Sequence, residues 1–142
     1  MIEPKVRPAT LDDLDQIESI EKTFGADAFS RRSLRRLLSK TIVVDYDGVV
    51  AYCTFFKHKK ATRIYSIAVD PRCRRMGFGK TLMKEVEWQA KQLGHTTMLL
   101  EVAKTNTEAR LLYGLIGYVE VKDLVDYYEK GKHAIKLAKQ LN

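Results

Sequence analysis

Ile67-Ala68-Val69-Asp70-Pro71-Arg72-Cys73-Arg74-Arg75-Met76-Gly77-Phe78-Gly79-Lys80-Thr81-Leu82 is the stretch that decides how this 142-residue chain is read. An apolar, β-type run ends at Asp70-Pro71, a basic turn with two glycines follows, and a helical pattern opens straight after it. That order sets backbone N–H groups at a helix N-terminus, where the helix dipole favours negative charge. Gly77 and Gly79 let the backbone come close to a ligand, while Arg74, Arg75 and Lys80 add positive charge. The stretch predicts a site for a phosphorylated ligand; the plainer reading is a basic surface turn.

Two phosphate-loop patterns fail here. Gly79-Lys80-Thr81 ends like a P-loop, but that loop needs glycine at position 74, where Arg stands. The dinucleotide fingerprint needs glycine at position 82, where Leu stands. The pattern that fits is Arg-x-x-Gly-x-Gly, Arg74 to Gly79, following the Ile-Ala-Val-Asp-Pro strand end. It resembles the acetyl-CoA pyrophosphate loop of the GNAT superfamily of N-acetyltransferases.

The length predicts one domain, residues 1–142, able to bury roughly two-thirds of the surface its unfolded chain exposes. No apolar run approaches the ~20 residues of a membrane span, and no N-terminal signal pattern is present. A soluble, cytoplasmic protein with no membrane partner is therefore expected, as a monomer or homodimer. Cys53 and Cys73 show no metal-ligand spacing, so no metal is expected. Cys73 lies in the basic turn, where neighbouring arginines favour a thiolate; an inert thiol is the plainer reading. The net charge of +7 raises the question of nucleic acid. The basic residues are scattered, however, apart from Arg31-Arg32-Ser33-Leu34-Arg35-Arg36 and Lys57-His58-Lys59-Lys60, and no nucleic-acid motif accompanies them. A surface that attracts CoA phosphates or acidic partners is the more economical account.

Taken in order, Lys5-Val6-Arg7 reads as a short strand stopped by Pro8. Thr10 with Asp13 marks a helix start, and Leu11, Leu14, Ile17, Ile20 and Phe24 recur at helical spacing. A second helix starts near Ser30, with Leu34, Leu37 and Leu38 as its stripe and arginines on its other face. Thr41 to Tyr46 is a β-branched run, Asp47-Gly48 predicts a two-residue hairpin turn, and Val49 to Phe56 is the partner strand. Thr62 to Val69 is the strand leading into the loop. The next helix runs to about Leu93, with Leu82, Met83, Val86, Ala90 and Leu93 inward and Gly94 as its stop. Thr96 to Ala103 reads as a parallel strand covered on both faces, completing a right-handed crossover. Asn106 is the expected N-cap of a last helix whose Ala109, Leu112, Tyr113 and Ile116 share a face, ended by Gly117. Tyr118 to Val121 and His133 to Leu137 follow as strands, joined by a loop carrying Tyr127 and Tyr128. The order βααβββαβαββ is a mixed α/β (α+β) architecture with a six- to seven-stranded sheet and about four helices.

Two residues stand out chemically. Glu101 lies near the C-terminal end of an otherwise apolar strand, where burial favours a general base working near neutral pH. A carboxylate paired with a neighbouring Lys or Arg is the equally weighted alternative. Tyr113 lies on the apolar face of the following helix, as a core residue or as an acid able to protonate a thiolate. Asn106 is a cap, with an amide also able to hydrogen-bond a cofactor.

Leu100-Glu101-Val102, then Asn106-x-x-Ala109-x-x-x-Tyr113 and Gly117-Tyr118, resembles the second half of the same family. Its ribosomal-protein-alanine and N-terminal (N-alpha) acetyltransferase branch is the most similar. The resemblance implies the GNAT fold and an acyltransferase using acetyl-CoA as cosubstrate, with a protein N-terminus or another primary amine as acceptor. It implies Glu101 as base and Tyr113 as acid. It also implies cofactor contacts from Ile67, Ala68, Val69, Arg74, Arg75, Met76, Gly77, Phe78, Gly79, Lys80, Thr81 and Asn106. Phe29, before Ser30, echoes an aromatic-Ser pair of that branch, and Tyr127-Tyr128 a pair covering the acceptor, so these three are candidate acceptor contacts. Where many relatives carry an acidic residue, this sequence has Lys132-His133-Ala134. Lysine ε-amine, small-amine or polyamine acetylation, acetyl-CoA sensing, and nucleic-acid or ribosome binding without catalysis are the competing expectations.

Overall fold

The computed structural model describes residues 2–142. Seven strands and four α-helices follow the expected order: β1 (Lys5–Pro8), α1 (Leu14–Glu21), α2 (Arg31–Arg36), β2 (Thr41–Asp45), β3 (Val49–Lys57), β4 (Ala61–Val69), α3 (Phe78–Gln92), β5 (Thr97–Ala103), α4 (Thr107–Leu115), β6 (Val119–Glu129) and β7 (Lys132–Gln140). They form a single seven-stranded sheet in the order β1-β2-β3-β4-β5-β7-β6. β4 and β5 pair in parallel, as the helical crossover between them requires; the pairs β1–β2, β2–β3, β5–β7 and β6–β7 are antiparallel. The chain divides into two compact units, Met1–Phe55 with Ser66–Trp88, and Phe56–Tyr65 with Gln89–Asn142.

In the first unit, Leu14, Ile17, Ile20, Leu34, Val43, Val49, Tyr52 and Ala68 form one buried cluster, with Phe29 and Leu38 packed against it. Each Val, Leu or Ile of this cluster withdrawn from water contributes about 1.5–3 kcal/mol before entropy is counted. The start of the helical region is fixed by Asp13. Its carboxylate accepts the Thr10 N–H (2.7 Å) and a two-pronged pair from Arg7 (2.8 and 2.9 Å). Ser30 caps α2 by accepting the Ser33 N–H. The helical stripe is shorter than the spacing predicts. Leu11 and Phe24 fall in 3-10 turns on either side of α1 and are exposed, because the backbone leaves the 3.6-residue period there. The hairpin also differs from the two-residue expectation. Asp45 pairs with Val49, a bulge follows Val44, and Tyr46, Asp47 and Gly48 form a three-residue turn with left-handed backbone at Asp47 (φ 57°) and Gly48 (φ 106°).

In the second unit the core lies on alternating residues, Met98, Leu100 and Val102 of β5 and Ile135 and Leu137 of β7. β5 is not uniformly covered as expected: its odd-numbered residues, Glu101 among them, are half-buried. Leu93 is exposed because α3 ends at Gln92 and the chain reverses through Gly94 (φ 75°). α4 buries no residue fully, and Leu112 is half exposed, so its inward face is Ala109, Tyr113 and Ile116. The last two strands are longer than predicted. β6 runs on to Glu129, placing Tyr127 and Tyr128 inside a strand rather than in a loop. The pattern hid this because β6 has almost no buried face, and Asp126 (φ 53°) interrupts its register.

Candidate active site

The glycine turn is built as the sequence implies. Asp70 caps a short 3-10 turn over Pro71–Cys73, accepting the Arg72 N–H (2.9 Å) and two bonds from the Arg72 guanidinium (2.8 and 3.1 Å). Those Arg72 side-chain bonds, then its N–H, hold the Asp70 carboxyl below the usual carboxylate range. The acidic residue beside the turn is thereby paired internally. Arg74, Arg75 and Lys80 remain exposed cations. Arg75 takes left-handed backbone (φ 66°), a conformation costing a non-glycine residue about 1–2 kcal/mol. Gly77 takes it too (φ 85°), and a Cβ there would meet nothing within 4 Å. Glycine at 77 thus serves the backbone and leaves open space beside it.

α3 starts from this turn. Phe78 is buried and stacks obliquely on Tyr46, with ring centroids 5.5 Å apart. The Thr81 N–H and hydroxyl both donate to the Gly77 carbonyl, at 3.0 Å each. A Cβ at Gly79 would lie 3.9 Å from Val69 Cγ2, an ordinary contact. Within this unit Val69 and Gly79 are neighbours, and Ile67, Ala68 and Val69 lead into the turn with Ala68 buried. Met76 is half exposed. A 15-residue helix N-terminus, open space beside Gly77 and three exposed cations suit the diphosphate of a CoA thioester.

Glu101 is held in the second unit by two donors. The parallel register runs from Ala61↔Thr97 to Ile64↔Leu100, with Arg63 opposite Leu99. Glu101, two residues beyond Leu99, therefore shares a face with Arg63. Arg63 Nε donates to both carboxylate oxygens (2.8 and 3.1 Å), the Tyr127 hydroxyl donates to Oε1 (3.2 Å), and Arg63 also donates to the Tyr127 oxygen (3.1 Å). Of the two expectations for Glu101, pairing with a basic neighbour is realised. Burial, then the negative charge of Glu101, pushes the Tyr127 phenol above its ordinary value. Tyr128, edge-on to Tyr127 at 5.1 Å, is raised as well, first by burial and then by Tyr127.

Asn106 is the N-cap expected of it, its Oδ1 accepting the Ala109 N–H at 3.1 Å. Tyr113 is half-buried on α4, edge-on to Tyr118 at 5.7 Å. Phe29 packs on the first unit's core, and its N–H donates to Glu21 Oε2 (2.9 Å).

Two residues of these arrangements escaped the sequence reading. Arg63 had no local signal, since its partner is 38 positions away. Glu21 did have one: it stands on the buried stripe of α1 with Leu14 and Ile17, where a charged residue needs a partner.

A mixed sheet whose parallel β4–β5 pair is connected by a helix opening from a basic glycine turn is the arrangement expected of an acetyltransferase of the acyltransferase class. Comparison with known proteins agrees. The chain belongs to the Acetyltransferase (GNAT) family, whose model matches residues 10–118. It is 31% identical over 157 aligned positions to an N-alpha-acetyltransferase of Sulfurisphaera tokodaii, covering 98% of this chain and 94% of that one. It is 40% identical over 67 residues to the [ribosomal protein bS18]-alanine N-acetyltransferase of Haemophilus influenzae, covering 47% of this chain and 45% of that one. The crystal structure of Ard1 from Thermoplasma volcanium superposes with a TM-score of 0.88 at 25% identity, covering 98% of each chain. The protein is an acyltransferase, and acetyl-CoA is the acyl donor of its family. No helix among the described residues is long and apolar enough to cross a membrane.

Proposed function

We propose that this protein transfers the acetyl group of acetyl-CoA directly to a primary amine, and that the acceptor is the N-terminal α-amine of a protein. The reading rests chiefly on the near full-length likeness to an N-alpha-acetyltransferase. Arg74, Arg75, Lys80 and the N–H groups from Arg75 to Lys80 hold the diphosphate, with Met76, Phe78 and Thr81 shaping the turn. Ile67, Ala68 and Val69 align the pantetheine arm, and backbone N–H groups near Val69 polarise the thioester carbonyl. Glu101 takes the proton that the acceptor ammonium must lose, directly or through a water. The freed amine forms the C–N bond as the C–S bond breaks, and Tyr113 protonates the departing sulfur, giving amide, free CoA and one proton to solvent. Asn106 contacts the cofactor amide; Phe29, Tyr127 and Tyr128 contact the acceptor. Residues 1–142 act as one catalytic domain in the cytoplasm.

The test is acetylation of peptides beginning with Ala, Ser or Met, each also carrying an internal lysine, with the acetyl group located by mass spectrometry. The reading expects the α-amine to carry it. An acetyl group on the lysine ε-amine alone, or transfer only to small polyamines, overturns it.

A further inference from the structure

We propose that Glu21 is a positioning residue that seats the backbone of Phe29 for acceptor binding. The catalytic scheme has no use for this carboxylate, yet it is among the most deeply buried polar groups of the first unit, 2% exposed. A carboxylate withdrawn from water persists only where donors satisfy it. Glu21 has two, one to each oxygen. Oε1 accepts the Tyr52 hydroxyl, which itself lies 3.5 Å from Ser66 Oγ. Oε2 accepts the Phe29 N–H.

The second bond spans eight residues and ties the end of α1 to the segment just before α2. Between them the chain makes two 3-10 turns around Gly25 (φ 64°, ψ −127°), and Lys22–Asp27 has no buried residue. Nothing in the core packs this segment down, so its exit is set from its two ends. One end is Glu21 on Phe29. The other is Ser30, which caps α2 one residue further on. Tyr52, fully buried on β3, joins the first tie to the sheet. One route from sheet to the Phe29 backbone therefore runs through this carboxylate, beside the packing of the Phe29 ring on the core.

The inference builds on the proposed role of Phe29 as an acceptor contact, and the test separates the two. Glu21→Ala removes both bonds. Glu21→Gln keeps an oxygen for the Phe29 N–H and an amide toward Tyr52. Steady-state kinetics use acetyl-CoA and a peptide with a free N-terminal alanine; calorimetry gives acetyl-CoA affinity; hydrogen exchange reads the Phe29 amide. Glu21→Ala should raise the peptide KM at least tenfold and speed Phe29 exchange at least tenfold, with acetyl-CoA affinity within about twofold of the parent. Glu21→Gln should restore both toward parent values. Unchanged Phe29 exchange in both variants overturns the tether itself. Faster exchange in Glu21→Ala with an unchanged peptide KM overturns the positioning role. If Phe29→Ala also leaves the KM unchanged, the acceptor role of Phe29 fails while the tether stands. Should Glu21→Ala not fold, Glu21→Asp takes its place, its shorter side chain unable to reach both donors.

Discussion

Arg63 and Glu101 face each other across the parallel pair β4–β5, with the guanidinium Nε 2.8 and 3.1 Å from the two carboxylate oxygens. The Tyr127 hydroxyl closes the group by donating to Glu101 and accepting from Arg63. This fixes the direction of the Glu101 carboxylate, and it sets opposing charges on the Tyr127 phenol. After burial, Glu101 is the main influence raising that phenol, and Arg63 opposes it. Replacing Glu101 by Gln should therefore let Tyr127 ionise at lower pH, and replacing Arg63 by Gln should delay it. Near-ultraviolet absorbance followed against pH measures both, with Tyr127→Phe identifying the signal. A Tyr127 titration that neither substitution moves would show the triad absent in solution.

Turnover tests the proposed proton transfers. General acid–base groups contribute typically 10²–10⁴-fold in rate. Glu101→Gln and Tyr113→Phe should each lower kcat by about that range while acetyl-CoA affinity stays near the parent value. A Tyr113→Phe variant that turns over normally would remove Tyr113 from the proton transfers.

The two glycines of the turn should respond differently to alanine. At Gly77 there is room for a Cβ but the backbone is left-handed, so Gly77→Ala costs about 1–2 kcal/mol of stability. Gly79 lies within α3 and its Cβ would make an ordinary contact with Val69, so Gly79→Ala should be neutral or stabilising by up to about 1 kcal/mol. Both should weaken acetyl-CoA binding by bringing side chains to a surface read as holding the diphosphate. Thermal unfolding and calorimetry on the two variants decide this; equal stability losses would contradict the assigned geometries.

Much of this was legible in the sequence because its signals are local. Ser30, Asn106, Gly94, Gly117 and the 74–81 turn act within a few residues of themselves, and each is found where the pattern puts it. What escaped depends on distant partners or on missing burial. Arg63 is visible only once the register sets it opposite Leu99. The reach of β6 was hidden because solvent covers nearly all of it and leaves no alternation to read. Leu11, Phe24 and Leu93 misled because they keep helical spacing beyond the point where the backbone stops being helical.

Two buried carboxylates of the first unit should give pH dependences of opposite sign. Asp13 is held below the usual carboxylate range, first by hydrogen bonds from Arg7, and burial opposes this. Its folded form binds protons less readily than its unfolded form. The stability it contributes is therefore full above the ordinary carboxylate value of about 4 and is lost as pH falls through the lowered one. Glu21 is raised, first by burial, with the Phe29 N–H acting against it. Its folded form keeps its proton to higher pH than the unfolded form does, so stability falls as pH rises from about 4.3 through the raised value. Asp13→Asn should thus be most destabilised near neutral pH, by about 1.5–3 kcal/mol for a hydrogen bond to a charged group, with the deficit shrinking in acid. Glu21→Gln should gain on the parent protein as pH climbs from acid toward neutral. Urea midpoints measured across that range test both, and curves that run parallel to the parent would refute the opposed signs.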